Sequence, residues 1–225
     1  MKKVIVILVK LFTGFFLCAT GIVMTINANL GLSPWDVLHQ GISKIANITM
    51  GKGSITVGII IVILDSILGE KIGWGTILNM IVIGFFMDFL MLNNIIPVFN
   101  NLLLNVIMMF LGMIVIGIGT YFYISVGLGS GPRDGLMVAL TKKTHKSVRL
   151  IRSSIELGAL IAGYILGGHV GLGTFIMAIS LGHFIQFAFK LFKFDVSTIQ
   201  HRFIDDDIKL LKERFFNVKE DLDAN

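Results

Sequence analysis

The sequence predicts an all-α membrane protein: six transmembrane helices forming two inverted three-helix repeats, each repeat with a short Pro-initiated helix after its first span. Three observations carry this. The 225 residues are 55% hydrophobic and only 15% charged, where soluble domains carry about 25% charge. Six apolar stretches approach the roughly 20 residues a membrane helix needs. The chain also matches itself at a constant offset of 98 residues. The same composition excludes a disordered chain. The lone Cys18 excludes a disulfide scaffold.

Taken in order, the spans fall near 4–27, 54–69, 74–93, 101–125, 149–168 and 172–192. The second is short and holds Asp65. Lys2 and Lys3 before an apolar run resemble a signal peptide, but Leu17 stands where a lipoprotein signal needs a small residue before Cys18. The stretch 12–31 also recurs further on, so it is expected to be retained. These boundaries divide the chain into repeat 1 (1–98), repeat 2 (99–192) and a charged tail (193–225). In the tail Ile204, Ile208, Leu211 and Phe215 form a helical stripe. Asp205–Asp207 precede Lys209, Lys212 and Arg214, the order that suits a helix dipole. An amphipathic helix on the membrane or a partner fits; so does a solvated tail that only sets topology.

Positive charge sets the orientation. With the N-terminus in the cytoplasm, the loop holding Arg133, Lys142, Lys143, Lys146, Arg149 and Arg152 is also inside, as is the tail with Lys190 and Lys193. The loops near 94–100 and 169–171 hold no Lys or Arg. Lys44 and Lys52 fall on the other side. The expectation is a multi-pass protein of a bacterial inner membrane with both termini cytoplasmic. The net charge of +5 follows from this bias and implies no nucleic-acid partner.

Residues 12–89 and 110–187 share 21 identities in 78 ungapped positions. Gly14, Gly21, Gly31, Pro34, Asp36 and Leu38 match Gly112, Gly119, Gly129, Pro132, Asp134 and Leu136. Gly73-Trp74-Gly75-Thr76 matches Gly171-Leu172-Gly173-Thr174. Three spans per repeat is an odd number, so the second copy enters the membrane from the opposite face. Such inverted repeats are frequent in transporters, because exchanging the shapes of two related halves exchanges inward and outward access. If 34–47 were itself a span, the copies would be parallel; Asp36, His39, Gln40 and Lys44 argue against that.

The strongest motif is the doubled Leu-Gly-x-x-Pro-x-Asp, within 29–38 and 127–136. Gly31 and Gly129 let the chain leave its span, and Pro34 and Pro132 open new helices. Ser33 can cap the first, with Asp36 at capping-box spacing. One reading is a pair of helix starts. The other has both short helices dipping into the bundle, so that their N-termini, Asp36 and Asp134 line a central site.

Other ionisable residues in spans are functional candidates by default. Glu156 lies near the middle of the fifth span with Arg152 one turn before it: a self-neutralising pair, or a carboxylate that couples transport to protonation or cation binding. His183 in the sixth span, with Gln186 nearby, is hydrogen-bonding glue or a proton relay. Asp65 and Asp88 sit near span ends and read as interfacial. Asn79 is expected to bond across helices. Gly14, Gly21, Gly112, Gly117, Gly119, Gly163 and Gly167 make small-residue stripes for close helix approach.

No metal set, nucleophile elbow or phosphate loop with its Lys is present, so neither an enzyme nor a cofactor is expected. The doubled motif, the six spans and the Gly-x-Gly-Thr of the third span resemble the YczE/YyaS/YitT group of bacterial membrane proteins, its YczE branch most closely, over about residues 5–192. The resemblance implies this fold in a bacterial inner membrane and supplies no catalytic residue. The functional expectation is a small-solute or ion permease with its site between the repeats. Glu156, Arg152, Asp36, Asp134 and His183 are the candidate pathway residues, and Gly31, Pro34, Gly129 and Pro132 the structural ones. The alternative is a non-transporting scaffold for an enzyme or biosynthetic complex. Expected partners are the lipid bilayer and a small solute or ion, with a homodimer plausible for six spans.

Overall fold

A computed structural model describes residues 2–210 and contains no strand among them. Eight α-helices follow in order: α1 (Lys2–Asn27), α2 (Pro34–Ala46), α3 (Met50–Ile67), α4 (Trp74–Leu92), α5 (Leu102–Ile124), α6 (Pro132–Thr144), α7 (Val148–Ile165) and α8 (Leu172–Leu191). A short 3-10 turn, Val196–Thr198, comes next, and 204–210 is helical again. Of the stripe expected in the tail, Leu211 and Phe215 lie outside the described residues.

Five helices, α1, α3, α4, α5 and α8, are long and apolar enough to cross a membrane. The sixth expected span, α7, has the same 18 residues as α3. It is not among the five because Arg149, Arg152 and Glu156 interrupt its apolar run. Apolar side chains such as Ile63, Ile67, Leu102, Phe175 and Ile179 are exposed on the bundle surface, as lipid-facing positions are.

The repeat is visible in the backbone. α2 and α6, and likewise α3 and α7, are displaced by 98 residues at both ends. Gly31 and Gly129 both have φ +114°, and Asn47 and His145 both end their helices in the left-handed region. At the centre α1 crosses α5 on glycines. A methyl group at Gly21 would stand 2.6 Å from the Gly112 carbonyl oxygen, and one at Gly14 would stand 2.9 Å from that of Gly119. The earlier glycine of α1 meets the later one of α5, so the two helices run antiparallel. Backbones this close suit helices in lipid, where packing rather than water exclusion drives association. Leu11, Phe15, Ala19 and Val23 complete the buried stripe of α1.

The two halves are not equal. α3 packs along α4, but α7 does not pack along its counterpart α8. A methyl group at Gly84 would meet the Gly51 carbonyl oxygen at 2.7 Å; one at the equivalent Gly182 would meet nothing within 4 Å. Asp88 tightens the first pair. Its Oδ1 accepts from the Gly51 amide at 2.7 Å and its Oδ2 from the Thr49 hydroxyl at 2.5 Å. An acid read as interfacial thus caps α3 from α4. Its counterpart in repeat 2 is Gln186, and Arg149 replaces Gly51, so α7 and α8 lack this clasp. Asp88→Ala is expected to cost about 1.5–3 kcal/mol per lost charge-assisted bond, read as a lower unfolding midpoint of the purified protein. Asp88→Asn should recover part of it.

Candidate functional site

Each Leu-Gly-x-x-Pro element is tied to the Gly-x-Gly-Thr element of the other repeat. The Gly173 amide donates to the Leu30 carbonyl and the Gly75 amide to the Leu128 carbonyl, both at 2.7 Å. Side chains are impossible at this junction: a methyl at Gly31 or Gly129 would stand 2.6 Å from the hydroxyl of Thr174 or Thr76, and φ +114° disfavours one in any case. The two motifs are therefore one interlock. It fixes the N-termini of α2 and α6, each against the repeat to which it does not belong.

The centre is polar. Ser33 caps α2, accepting from the Asp36 amide at 3.4 Å, and its hydroxyl donates to Asp36 Oδ2 at 2.5 Å. Asp36 Oδ1 stands 3.3 Å from His39 Nδ1. Asp36 and His39 are 4% and 2% exposed. From the other repeat, the Arg133 guanidinium lies 3.4 Å from His39 Nε2 and 4.7 Å over the Trp35 ring. Arginine only donates, so Nε2 accepts and Nδ1 keeps the proton that faces Asp36. Trp35 and Arg133 occupy the same place in the two repeats. The pair that breaks the repeat thus stacks from one half of the chain onto the other as a cation–π contact.

Asp134 repeats Asp36 without its partners. Gly131 stands where Ser33 does, so the serine hydroxyl that engages Asp36 has no counterpart, and Met137 replaces His39. The gap left by the missing side chain at Gly131 is bounded by polar atoms. A methyl there would lie 3.5 Å from the Tyr123 hydroxyl, 3.7 Å from Asn79 Oδ1 and 4.0 Å from Asp134 Oδ2. Asp134 lines a cavity of about 240 Å³ with Asp65, Gly135, Val138, His201 and Phe203 among its walls. The equivalent end of the other repeat is sealed. There Gln40 Oε1 accepts from the His169 amide and Lys44 donates to the Gly167 carbonyl, both at 2.7 Å, and Gly163 and Gly168 of the α7 end lie against the backbone of Val37 and Leu38.

The tail crosses the cavity mouth. The Gly129 amide donates to His201 Nδ1 at 3.3 Å, the Arg202 amide to the Gly127 carbonyl at 2.8 Å and the Ile204 amide to the Ile72 carbonyl at 3.0 Å. Trp74 Nε1 donates to Asp207 at 3.1 Å. Burial pulls the His201 pKa down, with Asp134 opposing. The start of the tail therefore packs on its own chain.

The sequence-derived candidates divide. Asp36 and Asp134 come to the centre. Arg152 and Glu156 pair at 3.2 Å on one face of α7 and are 52% and 29% exposed. His183 is exposed on α8, where it bonds to the Ile179 carbonyl of its own helix. His39 and Arg133 were legible only as polar loop residues, because nothing in their spacing says that they meet. Asp65, read as interfacial, is 2% exposed with Oδ1 lacking a hydrogen-bond partner. Among the described residues no three His, Cys, Asp or Glu converge to hold a metal ion.

A family model described as "Family of unknown function (DUF6198)" matches residues 2–190. The chain is 38% identical over 181 residues to "Uncharacterized membrane protein YczE" of Bacillus subtilis, covering 79% of this chain and 82% of that protein. It is 38% identical over 160 residues to an uncharacterized protein of Haemophilus influenzae, covering 71% and 72%. It is 30% identical over 179 residues to "Uncharacterized protein YyaS" of Bacillus subtilis, covering 78% and 88%. No solved structure matches it.

Proposed function

Because the chain belongs to DUF6198, a family of unknown function, its activity must be read from its own geometry, and we propose that it is a small-solute or ion permease working by alternating access. The supporting observation is that two matched ends of the repeat differ: Val138 lines a cavity, whereas its counterpart Gln40 is locked into a seal. In this reading α7 is the sixth span, its Arg152–Glu156 pair lowering the cost of insertion. The antiparallel α1–α5 crossing supports inverted rather than parallel repeats. Positive charge places the cavity toward the cytoplasm, in a bacterial inner membrane with both termini inside. The interlocked N-termini of α2 and α6 are the pivot, and transport exchanges the shapes of the two ends.

The test uses Cys18→Ser as background, with single cysteines at Gln40 and Val138 labelled by a membrane-impermeant thiol reagent from either side. Val138→Cys is expected to react quickly from the cytoplasmic side and Gln40→Cys slowly from the outside. Adding Gly163→Ala, which forces α2 away from α7, should reverse the two rates. Labelling of both positions from one side makes the repeats parallel. A cavity end that ignores Gly163→Ala makes the protein static, which favours the scaffold for an enzyme or biosynthetic complex.

A further inference from the structure

We propose that the cavity between α3 and α6 binds a small organic cation through Asp134 and Asp65, an inference that rests on the permease reading and names the substrate class of its site. Charge comes first. The central groups are three acids, Asp36, Asp65 and Asp134, against one base, Arg133. The other charges nearby leave one lysine over, Lys71, which lies over the Phe203 ring. Arg152 is bonded to Glu156, and at the mouth Glu70 lies beside Lys71 and takes a 2.8 Å bond from Lys142. Arg133 is already engaged with His39 and Trp35. Among the described residues, neither Asp65 nor Asp134 forms an ion pair.

Asp65 is the second observation. It is 2% exposed, lines the cavity, and leaves Oδ1 without a hydrogen-bond partner. Buried this far, the ionised carboxylate is costly unless a cation is bound to it. Gly135 makes room for it, since a methyl there would stand 2.6 Å from Asp65 Oδ2. The equivalent contact at the sealed end sets Val37 against Gly163, with no acid.

The geometry then selects the kind of cation. Asp65 projects from α3 and Asp134 from α6, and among the described residues no three acidic or metal-binding groups converge, so a bare metal ion finds no coordination shell there. The space of about 240 Å³ suits an ammonium group with a short carbon chain. Charge-assisted hydrogen bonds from an ammonium to the two acids would supply orientation and affinity. Gly131 then has a purpose: a serine there would engage Asp134 as Ser33 engages Asp36 and remove it from binding.

The experiment is titration of the full chain in detergent with tetramethylammonium and 1,4-diaminobutane chlorides, read by calorimetry and by the unfolding midpoint. Sodium chloride and sodium phosphate at matched ionic strength are the controls. An ammonium probe is expected to bind and raise the midpoint, with affinity reduced at least tenfold by Asp134→Asn and by Asp65→Asn. Gly131→Ser should reduce it similarly while leaving the fold intact, since its nearest neighbours stand at 3.5 Å. The inference is overturned if neither ammonium binds, if phosphate binds instead, or if all three variants bind like the parent. Reciprocal labelling at Gln40 and Val138 needs no ligand. Retained reciprocity without ammonium binding removes the cation and keeps the permease; lost reciprocity removes the permease itself.

Discussion

Gly21→Val is expected to abolish recovery of folded protein, the largest effect foreseen for any single substitution here. The Cβ position at Gly21 lies 2.6 Å from the Gly112 carbonyl oxygen and 2.8 Å from the Ile116 amide nitrogen. These are backbone atoms of α5 and cannot rotate aside as a side chain would. Gly112 approaches the Gly21 carbonyl oxygen at 2.8 Å in return, so neither helix has slack. Overpacking a core usually costs about 1–3 kcal/mol, occasionally more. Prying apart two helices that carry the central interlock belongs at or above the top of that range. The assay is the monodisperse fraction in size exclusion, with the unfolding midpoint of whatever is recovered. Gly182→Val is the internal comparison: it sits in the same kind of helix with nothing within 4 Å and should express normally. Equal behaviour of the two variants would show that the crossing is not the keystone described above.

The second large effect is a contrast between two acids that hold the same place in the repeat. Asp36→Ala removes the acceptor for the Ser33 hydroxyl and the charge that His39 and Arg133 face. Removing one partner from a buried charged cluster costs about 3–5 kcal/mol, so a marked fall in the unfolding midpoint is expected. Asp134→Ala forfeits a favourable position at a helix N-terminus, worth about 0.3–1 kcal/mol, and loses no serine or histidine partner. Its midpoint should move little, while binding to the adjacent cavity should fail. Midpoints that fall equally for both variants would mean that Asp134 is as much a structural group as Asp36. A double-mutant cycle of Asp36→Asn with Arg133→Gln would then measure how much the contact across the repeats contributes.

Much of the fold was legible in the amino-acid order. Hydropathy located the long helices, and the offset of 98 residues located their partners. The doubled motif put Pro34 and Pro132 at the first turn of two short helices, where the structure has them. Those readings succeed because they depend on local properties: how many apolar residues follow one another, and which residue can open a helix or turn the backbone. The site was less legible. The sequence marked Asp36 and Asp134 as equals, because repetition makes them equal. It ranked Glu156 and His183 on depth along a span, whereas the structure puts both on less enclosed faces of α7 and α8. It set aside Asp65 for lying near a helix end, although Gly135 of another helix lets that carboxylate into a buried wall.

What the sequence determines by itself is the set of helices, their pairing into two copies and the chemistry available at their junction. What only the tertiary structure decides is which copy of that chemistry is engaged. Ser33 and His39 occupy Asp36, while Gly131 leaves Asp134 facing a cavity; Trp35 and Arg133, equivalent in the chain, become partners in space. One end of the bundle closes and the other stays open. These outcomes depend on contacts between segments roughly 100 residues apart, and no window along the chain contains both sides of such a contact.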